Sequence, residues 1–533
     1  RWGSLIGVAE SPLKEGLIYV GTDDGLIQVT ENGGTSWRKT ARFPGVPEFA
    51  YVEDVEASFH DENVAYAVID NHKKGDYRPY VLRSSDKGRS WTLISANLPK
   101  RGPAHAIVED HVDPNLLFVG TEFGLFVSQD QGKSWAALKS GLPTIDVRDI
   151  DIQRRENDLI VGTFGRGIYV LDDISVLRTP RTQVEGREAT LFTPKDALLY
   201  VPRTRFGGGK KGSRGGDYYQ EDNPPYGAVF TYFLKDGYES LRKKRRDLER
   251  ERLKAGEDNP YPSWDELRAE DHEEDPVIEL VVRDTQGAVV RRLSGKTKKG
   301  FHRVAWDMRF PALTPVSLKK PGFKPPWWEA PKGPLVLPGT YTVELTKRID
   351  GRVMSLGTAK TFKVVALENG SPLVTKDRPA LLAFQQKTGR LQRAVEGAAK
   401  SMGELKSRIA HLKKAIAAIP VDLAESYQNR LRRLESRLEK LEVAMMGDRA
   451  VSSRNEPVPW SILQRVGSVV GGHWSSQAAP TQTHRDAYES ASKAFQAALK
   501  EIRILDTYIQ AIEQQVEQLG APWTPGRIPT WEP

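Results

Sequence analysis

The chain of 533 residues contains no cysteine, which excludes disulfides, thiol nucleophiles and cysteine metal ligands. That absence leaves the compartment open, because many exported bacterial proteins avoid the residue. Long apolar runs are also missing, and none approaches the roughly 18 residues of a membrane span. Histidine is scarce and scattered, at His60, His72, His105, His111, His272, His302, His411, His473 and His484. No His-x-x-x-His pair and no Ser-His-Asp arrangement is legible, so neither a metal nor a cofactor is expected. His105 and His111 flank an expected strand with Glu109 and Asp110 between them, the one place where ligands would converge. Charge of one sign does not dominate. The net +8 comes from 78 basic and 70 acidic residues, a mild bias that does not imply nucleic acid.

This length is too great for one core, and three or four domains are expected. The chain opens at Arg1, and Trp2 to Val8 already reads as a strand. The N-terminus is therefore expected to be non-native, with upstream sequence, an export signal included, cleaved or missing.

One octapeptide occurs three times. Thr30-Glu-Asn32-Gly-Gly34-Thr-Ser-Trp37, Ser84-Ser-Asp86-Lys-Gly88-Arg-Ser-Trp91 and Ser128-Gln-Asp130-Gln-Gly132-Lys-Ser-Trp135 all fit Ser/Thr-x-Asp/Asn-x-Gly-x-x-Trp. Asp or Asn folds back onto nearby amides, Gly supplies a positive φ, and Trp opens the next strand and buries a large face. A second pattern precedes these turns. Ile18-Tyr-Val-Gly21-Thr22 is matched by Leu117-Phe-Val-Gly120-Thr121 and by Leu159-Ile-Val-Gly162-Thr163. Short β-rich runs at a period of roughly 45 residues are what four-stranded propeller blades require.

These residues resemble the Asp-box (BNR) repeats of sialidases and sortilin-like propellers. From Ala9-Glu-Ser-Pro12 to Val170-Leu-Asp-Asp173 the text is similar to a family of large exported bacterial Asp-box proteins, often labelled glycosyl hydrolases on the repeat alone. The resemblance implies about four blades, at 3–40, 50–95, 104–138 and 146–176, the last without an Asp-box turn. It also implies that upstream sequence or a second chain completes the ring. The closing Gly520 to Trp531 is typical of the same family, so the chain resembles its C-terminal half.

Beyond residue 176 the chain reads as a linker over 177–226, with the Gly/Lys/Arg run Gly207 to Gly216. That run lacks the Gly-Lys-Ser/Thr ending of a phosphate loop. Short β-branched runs at Ala228–Leu234, Val277–Asp284, Ala288–Leu293, His302–Met308, Thr340–Leu345 and Thr361–Val365 predict an immunoglobulin-like β-sandwich over 227–367. Gly300 to Asp307 and Leu337 to Val343 resemble the immunoglobulin-like domain of flagellar hook-capping proteins. A helical insertion at 238–275 has a basic arm, with Arg242 to Arg246, and an acidic arm ending at Asp275. The two arms are expected to neutralise each other.

Periodicity then changes. Leu391, Val395, Ala398, Met402, Leu405, Ile409, Leu412, Ile416 and Ile419 step by four and three, as do Tyr427 to Met445 and Tyr488 to Leu519. Such coiled-coil-like seams bury a narrow stripe and demand partners. With a reversal at Pro420 they predict an antiparallel helical bundle over 376–519, followed by an extended tail, 520–533. A shorter helix near Trp460 to Val470 is expected at one end.

A sialidase needs an arginine triad, a Tyr/Glu nucleophile pair and an acid. Arg527-Ile528-Pro529 matches its Arg-Ile/Leu-Pro motif at the wrong end of the chain. Asp23, Asp24, Glu53, Asp54, Glu122 and Asp149 are acids that would face a propeller channel, yet acids near β-turns ordinarily serve the turn. The expectation is a multidomain extracytoplasmic protein, periplasmic, cell-surface or secreted. It binds a protein or peptide through loops near Asp23, Glu53, Glu122 and Arg166, without catalysis, nucleic acid or a transmembrane segment. A glycoside hydrolase completed by upstream blades, and a structural subunit of an envelope or surface complex, are the alternatives.

Overall fold

The computed structural model describes residues 3–139, 141–202, 221, 223–318, 322–323, 325, 328, 330–367, 374–474, 476–529 and 531. Two compact units emerge, one of residues 1–192 with 233–236, the other of 193–232 with 237–533.

The first unit holds four antiparallel sheets whose strands follow in chain order. Sheet one is β1 (Leu5–Glu10), β2 (Ile18–Thr22), β3 (Ile27–Thr30) and β4 (Arg38–Thr40). Sheet two is β5 (Tyr51–Ala57), β6 (Ala65–Asn71), β7 (Asp76–Ser84) and β8 (Thr92–Leu93). Sheet three is β9 (Ala104–Glu109), β10 (Leu117–Thr121), β11 (Gly124–Ser128) and β12 (Ala136–Ala137). Sheet four, which lacks the Asp-box turn, has only β13 (Val147–Gln153), β14 (Asp158–Thr163) and β15 (Ile168–Leu171). First strands of consecutive sheets touch, β1 with β5, β5 with β9 and β9 with β13, as blades stacked side by side would.

The three octapeptide turns close with the same two bonds. The hydroxyls of Thr30, Ser84 and Ser128 accept from the amides of Gly34, Gly88 and Gly132 at 2.9, 2.8 and 2.8 Å. Asn32, Asp86 and Asp130 accept from the amides of Ser36, Ser90 and Ser134 at 2.9, 2.8 and 2.9 Å. The glycine φ values of +91°, +74° and +82° are those an L side chain resists. Burial of the tryptophan differs, however. Trp91 and Trp135 are each 5% exposed, whereas Trp37 is 46% exposed and does not bury the face expected of it. The reason is positional: the tryptophan of one sheet leans on the sheet before it. Trp91 joins the core of Tyr19, Val29 and Phe43 from sheet one and its following loop, and Trp135 donates to the Ile94 carbonyl at 2.8 Å.

Side chains also interlock between sheets. Every first strand slips register near its start, between Leu5 and Gly7, Val52 and Asp54, Ala104 and Ala106, and Val147 and Asp149. In sheets two to four the residue before the slip packs onto the second strand of the preceding sheet, whereas Leu5 of sheet one is 63% exposed. A Cβ at Gly21 would lie 2.5 Å from Val52, and one at Gly120 would lie 2.7 Å from Val147. Where the second strand instead carries Val68, the first strand of sheet three offers only Ala104, in the same core. Large meets small at each junction.

After sheet four the unit adds α1 (Arg181–Glu185) and β16 (Ala189–Leu191), and the second unit opens with β17 (Ala197–Leu199). Regular structure therefore enters the stretch 177–226 that reads as a linker. Strands of three residues are too short to carry a hydrophobic period. The run Gly207 to Gly216 lies outside the described residues.

In the second unit β17 pairs in parallel with β24 (Lys360–Ala366). The sheet continues through β22 (Gly339–Ile349), β19 (Val277–Arg283) and β20 (Val289–Gly295), with β23 (Arg352–Ser355) on β22. Nearby, β18 (Ala228–Leu234) neighbours β21 (Gly300–Trp306). The fully buried Trp306 ring lies 5.6 Å from Tyr341 and 6.2 Å from Phe362, joining the two sheets edge to face. The charged arms α2 (Leu241–Ala255) and α3 (Trp264–His272) pair through Arg245, which donates to both oxygens of Glu270.

Helices α4 (Arg378–Ala415), α5 (Val421–Met446), α7 (Ile462–His473) and α8 (Gln482–Gln518) share one apolar core, with the one-turn α6 (Arg449–Ser452) between α5 and α7. All nine positions from Leu391 to Ile419 lie in that core, facing Leu431 to Met445 and Ala491 to Val516. Arg527, of the Arg-Ile-Pro match, donates to the Glu513 carbonyl at 3.2 Å and pairs with Glu517.

Candidate binding site on the hairpin tips of the first unit

Each meander of the first unit turns from its second to its third strand on the same edge. That edge carries Asp23 in the β2–β3 turn, residues 72–75 in the β6–β7 turn, Glu122 in the β10–β11 turn and Arg166 in the β14–β15 turn. A cavity of about 320 Å³ opens there, lined by Asp23, Phe49, Tyr51, Asp70, Lys73 and Lys74 among others.

Local bonds set each of these side chains. Asp23 Oδ1 accepts from the amides of Gly3 and Ser4 at 2.8 and 2.9 Å, and these bonds hold its carboxyl below the usual carboxylate range. Its first task is thus to anchor the entry to β1. Asp70 is buried, accepts from the His72 amide at 2.9 Å and pairs with the His72 ring. The ammonium of Lys73 sits 4.5 Å above the Tyr51 ring. Lys74 donates to the carbonyls of Glu48 and Phe49, each at 3.0 Å, 5.6 Å from the Phe49 ring. Phe49 itself is 61% exposed. Burial raises the Tyr51 hydroxyl pKa, helped by the charges of Glu53, Asp23 and Asp70.

Glu53 belongs to a second group, spanning sheets two to four. His105, buried, has Nδ1 3.7 Å from Glu53 and Nε2 3.4 Å from Asp146. Arg148 joins them, 2.7 Å from Asp146 and 3.8 Å from Glu53. His105, Glu109, Asp110 and His111, where ligands would converge, do not form one cluster, although His111 Nδ1 lies 3.6 Å from Asp110. Glu109 accepts from Ser58 and Tyr66 at 2.7 and 3.0 Å, and Asp110 takes Arg178 at 2.7 Å.

Two further acids have altered titration. Burial pushes Asp54 up to about 7 and Glu56 up to about 8, with neighbouring carboxylates adding to both. Acids protonated near neutrality are what a general acid requires. Asp54, however, points into the junction between sheets, where its Oδ2 accepts from the Ile107 amide at 3.0 Å. Neither acid lines the cavity at the tips.

Of the four residues expected to bind, only Asp23 lines that cavity, Glu53 lies with His105 and Arg148, and neither Glu122, partly buried, nor the exposed Arg166 lines it. Sequence reasoning missed Phe49, Tyr51, Lys73 and Lys74. The signal was the polar break Asn71-His-Lys-Lys-Gly75 between two strongly apolar runs.

No family model matches the chain, and no curated protein matches it either. Among solved structures, YCF48 bound to D1 peptide is 14% identical over 32% of this chain and 51% of its own, with a TM-score of 0.25. The Myceliophteria thermophila Cps50 (Swd1) beta-propeller domain is 13% identical over 31% and 51%, at 0.25. The GH74 xyloglucanase from Xanthomonas campestris is 14% identical over 67% and 47%, at 0.27. The chain spans about half the length of each, and scores this low carry neither fold nor function across.

Proposed function

We propose that this is a non-catalytic, extracytoplasmic binding or scaffold protein whose blade-like sheets take a protein or peptide at the hairpin-tip cavity. In this reading residues 1–176 are part of a β-propeller, 227–367 an immunoglobulin-like sandwich and 376–519 an antiparallel helical bundle that adds surface. One observation carries the binding role. Ammonium and aromatic groups, Lys73, Lys74, Phe49 and Tyr51, line the cavity beside Asp23 and Asp70, whose carboxylates are already bonded within the chain, while the acids of raised pKa lie outside it. Lys73 and Lys74 suit a peptide carboxylate beside an apolar side chain resting on Phe49. Short fluorescein-labelled peptides, acidic-aromatic against lysine-aromatic, test this by anisotropy. The acidic set is expected to bind more tightly, and Lys73→Ala with Lys74→Ala to weaken it about tenfold, one charge-assisted bond's worth. Equal binding of both sets, or no loss in the double variant, removes the reading.

The pKa values of Asp54 and Glu56 favour a second reading, a glycosidase. Aryl-glycoside turnover that disappears in Glu56→Gln would replace the first reading with this one.

A further inference from the structure

The turns from first to second strand lie on the edge opposite the hairpin tips, and three of them bring basic and imidazole groups together. The β5–β6 turn supplies Phe59 and His60, the β9–β10 turn Asp110 and His111, and the β13–β14 turn Arg154 and Asn157. The Arg154 guanidinium lies 4.2 Å above the Phe59 ring. His60 Nε2 donates to the Asp110 carbonyl at 2.8 Å, which ties sheets two and three and leaves Nδ1 free. Arg178, after β15, donates to both oxygens of Asp110 at 2.7 and 2.9 Å and to Asn157 at 2.6 Å. His111 stands beside them with Nδ1 buried, 3.6 Å from Asp110 and without a hydrogen-bond partner. A buried polar atom left so is unusual in a folded chain.

The acids of these turns are already engaged within the chain. Besides Arg178, Asp110 accepts from the Asp113 amide at 2.9 Å. Glu109 accepts from Ser58, Tyr66 and the Phe59 amide. Asp61 and Asp113 accept from Asn63 and Asn115. Glu56, whose charge reaches Arg154, is held up to about 8 and keeps its proton at neutral pH. Arg155 takes Glu156 at 3.2 Å, but among the described residues the exposed Arg154 pairs with no acid. The cations leave their mark on His111. Its pKa is lowered, first by burial, and Arg178, Arg154 and His60 add to this against the opposing pull of Asp110.

We propose that Arg154, His60 and His111 form a binding site for a tetrahedral oxyanion, a sulfate or phosphate group, free or carried on an ester. Phe59 holds the guanidinium plane and leaves its N–H edge for the ligand. The imidazole nitrogens without partners supply the other donors once protonated. Donors from three separate turns suit the three terminal oxygens of such a group better than the two of a carboxylate. The anion would give His111 Nδ1 its missing partner and neutralise Arg154. The site is on the other edge from the Lys73 and Lys74 cavity and does not rest on the peptide reading.

Isothermal titration calorimetry of the full chain with inorganic sulfate tests it, in the Lys73→Ala, Lys74→Ala background so that the tip ammoniums contribute nothing. Sulfate keeps its charge across the range of about pH 6 to 8 in which imidazoles change theirs. Affinity is expected to rise about tenfold from pH 8 to pH 6, since the anion favours protonated His60 and His111 while Glu56, ionising at the alkaline end, competes for Arg154. Arg154→Gln should weaken binding about tenfold, one charge-assisted bond's worth. Arg155→Gln removes the same charge from the same turn and should cost less than about twofold. His111→Gln should flatten the pH dependence. Circular dichroism of each variant reports whether the sheets are retained. Phosphoserine against inorganic phosphate separates the sources: tighter binding of the monoester assigns the site to a group on a larger ligand, equal binding to the free anion. No binding up to about 10 mM sulfate, equal losses in Arg154→Gln and Arg155→Gln, or an affinity indifferent to pH would each overturn the site.

Discussion

Sheet one and the two sheets after it carry the same turn motif, closed by the same bonds, yet Trp37 lies 46% exposed where Trp91 and Trp135 are 5% exposed. The difference separates two kinds of information. The turn is local: hydroxyl, Asp or Asn, and Gly lie within five residues and need no neighbour. The tryptophan's burial belongs to the junction, which exists only where a preceding sheet stands.

The comparison breaks most visibly at the tryptophans. Trp135→Ala should cost about 3–5 kcal/mol, and Trp37→Ala less than about 1 kcal/mol. Because a chain with two units need not unfold in one step, hydrogen exchange of β10 and β2 is the appropriate measure. Equal costs would mean that the motif, not the junction, carries the energy.

The glycine sockets give the next largest contrast. Gly120→Val drives a methyl-bearing carbon into the Val147 side chain and within 2.8 Å of its carbonyl, so about 1–3 kcal/mol should be lost. Gly162→Val, where a Cβ would meet only Asp149 of its own sheet at 3.3 Å, should cost less than about 1 kcal/mol. Thermal unfolding followed by circular dichroism compares them.

At the turns themselves the sheets should behave alike. Asp86→Ala and Asn32→Ala each remove a backbone-accepting oxygen and should each cost about 1 kcal/mol. A silent Asn32→Ala would show that the turn, too, draws strength from a neighbouring sheet.

A contrast of another kind lies in pH. Glu56 and Asp54 are held up to about 8 and about 7 in the folded chain, against ordinary values of 4.5 and 3.8. The folded state therefore binds protons more readily than the unfolded one between these limits. Their contribution is complete below about pH 4 and is lost as pH rises through 7 to 8. Glu56→Gln should flatten that decline in a series of urea melts, leaving the part due to Asp54.

Much of this was readable beforehand, and for a common reason. The octapeptide turns, the six expected strands of the second unit and the helical seams from Leu391 to Val516 are patterns that repeat within a few residues. The seams could be assigned to helices because a step of three or four positions suits no other structure. The strands β16 and β17 were invisible, being too short to show a period and, for β17, paired with β24 more than a hundred residues on. The site was less legible than the fold. Asp23 was found because it sits in a repeat, whereas Lys73, Lys74, Phe49 and Tyr51 converge from a turn and a strand approach that no repeat marks.

By itself, then, the order of amino acids decided where this chain turns, which segments extend and which coil, since those choices rest on torsion angles and nearby hydrogen bonds. Tertiary packing alone decided which of three like tryptophans is covered, which glycine receives a valine and which acid is left to titrate near neutrality. Those outcomes depend on excluding water, and water is excluded only by atoms brought from distant parts of the chain.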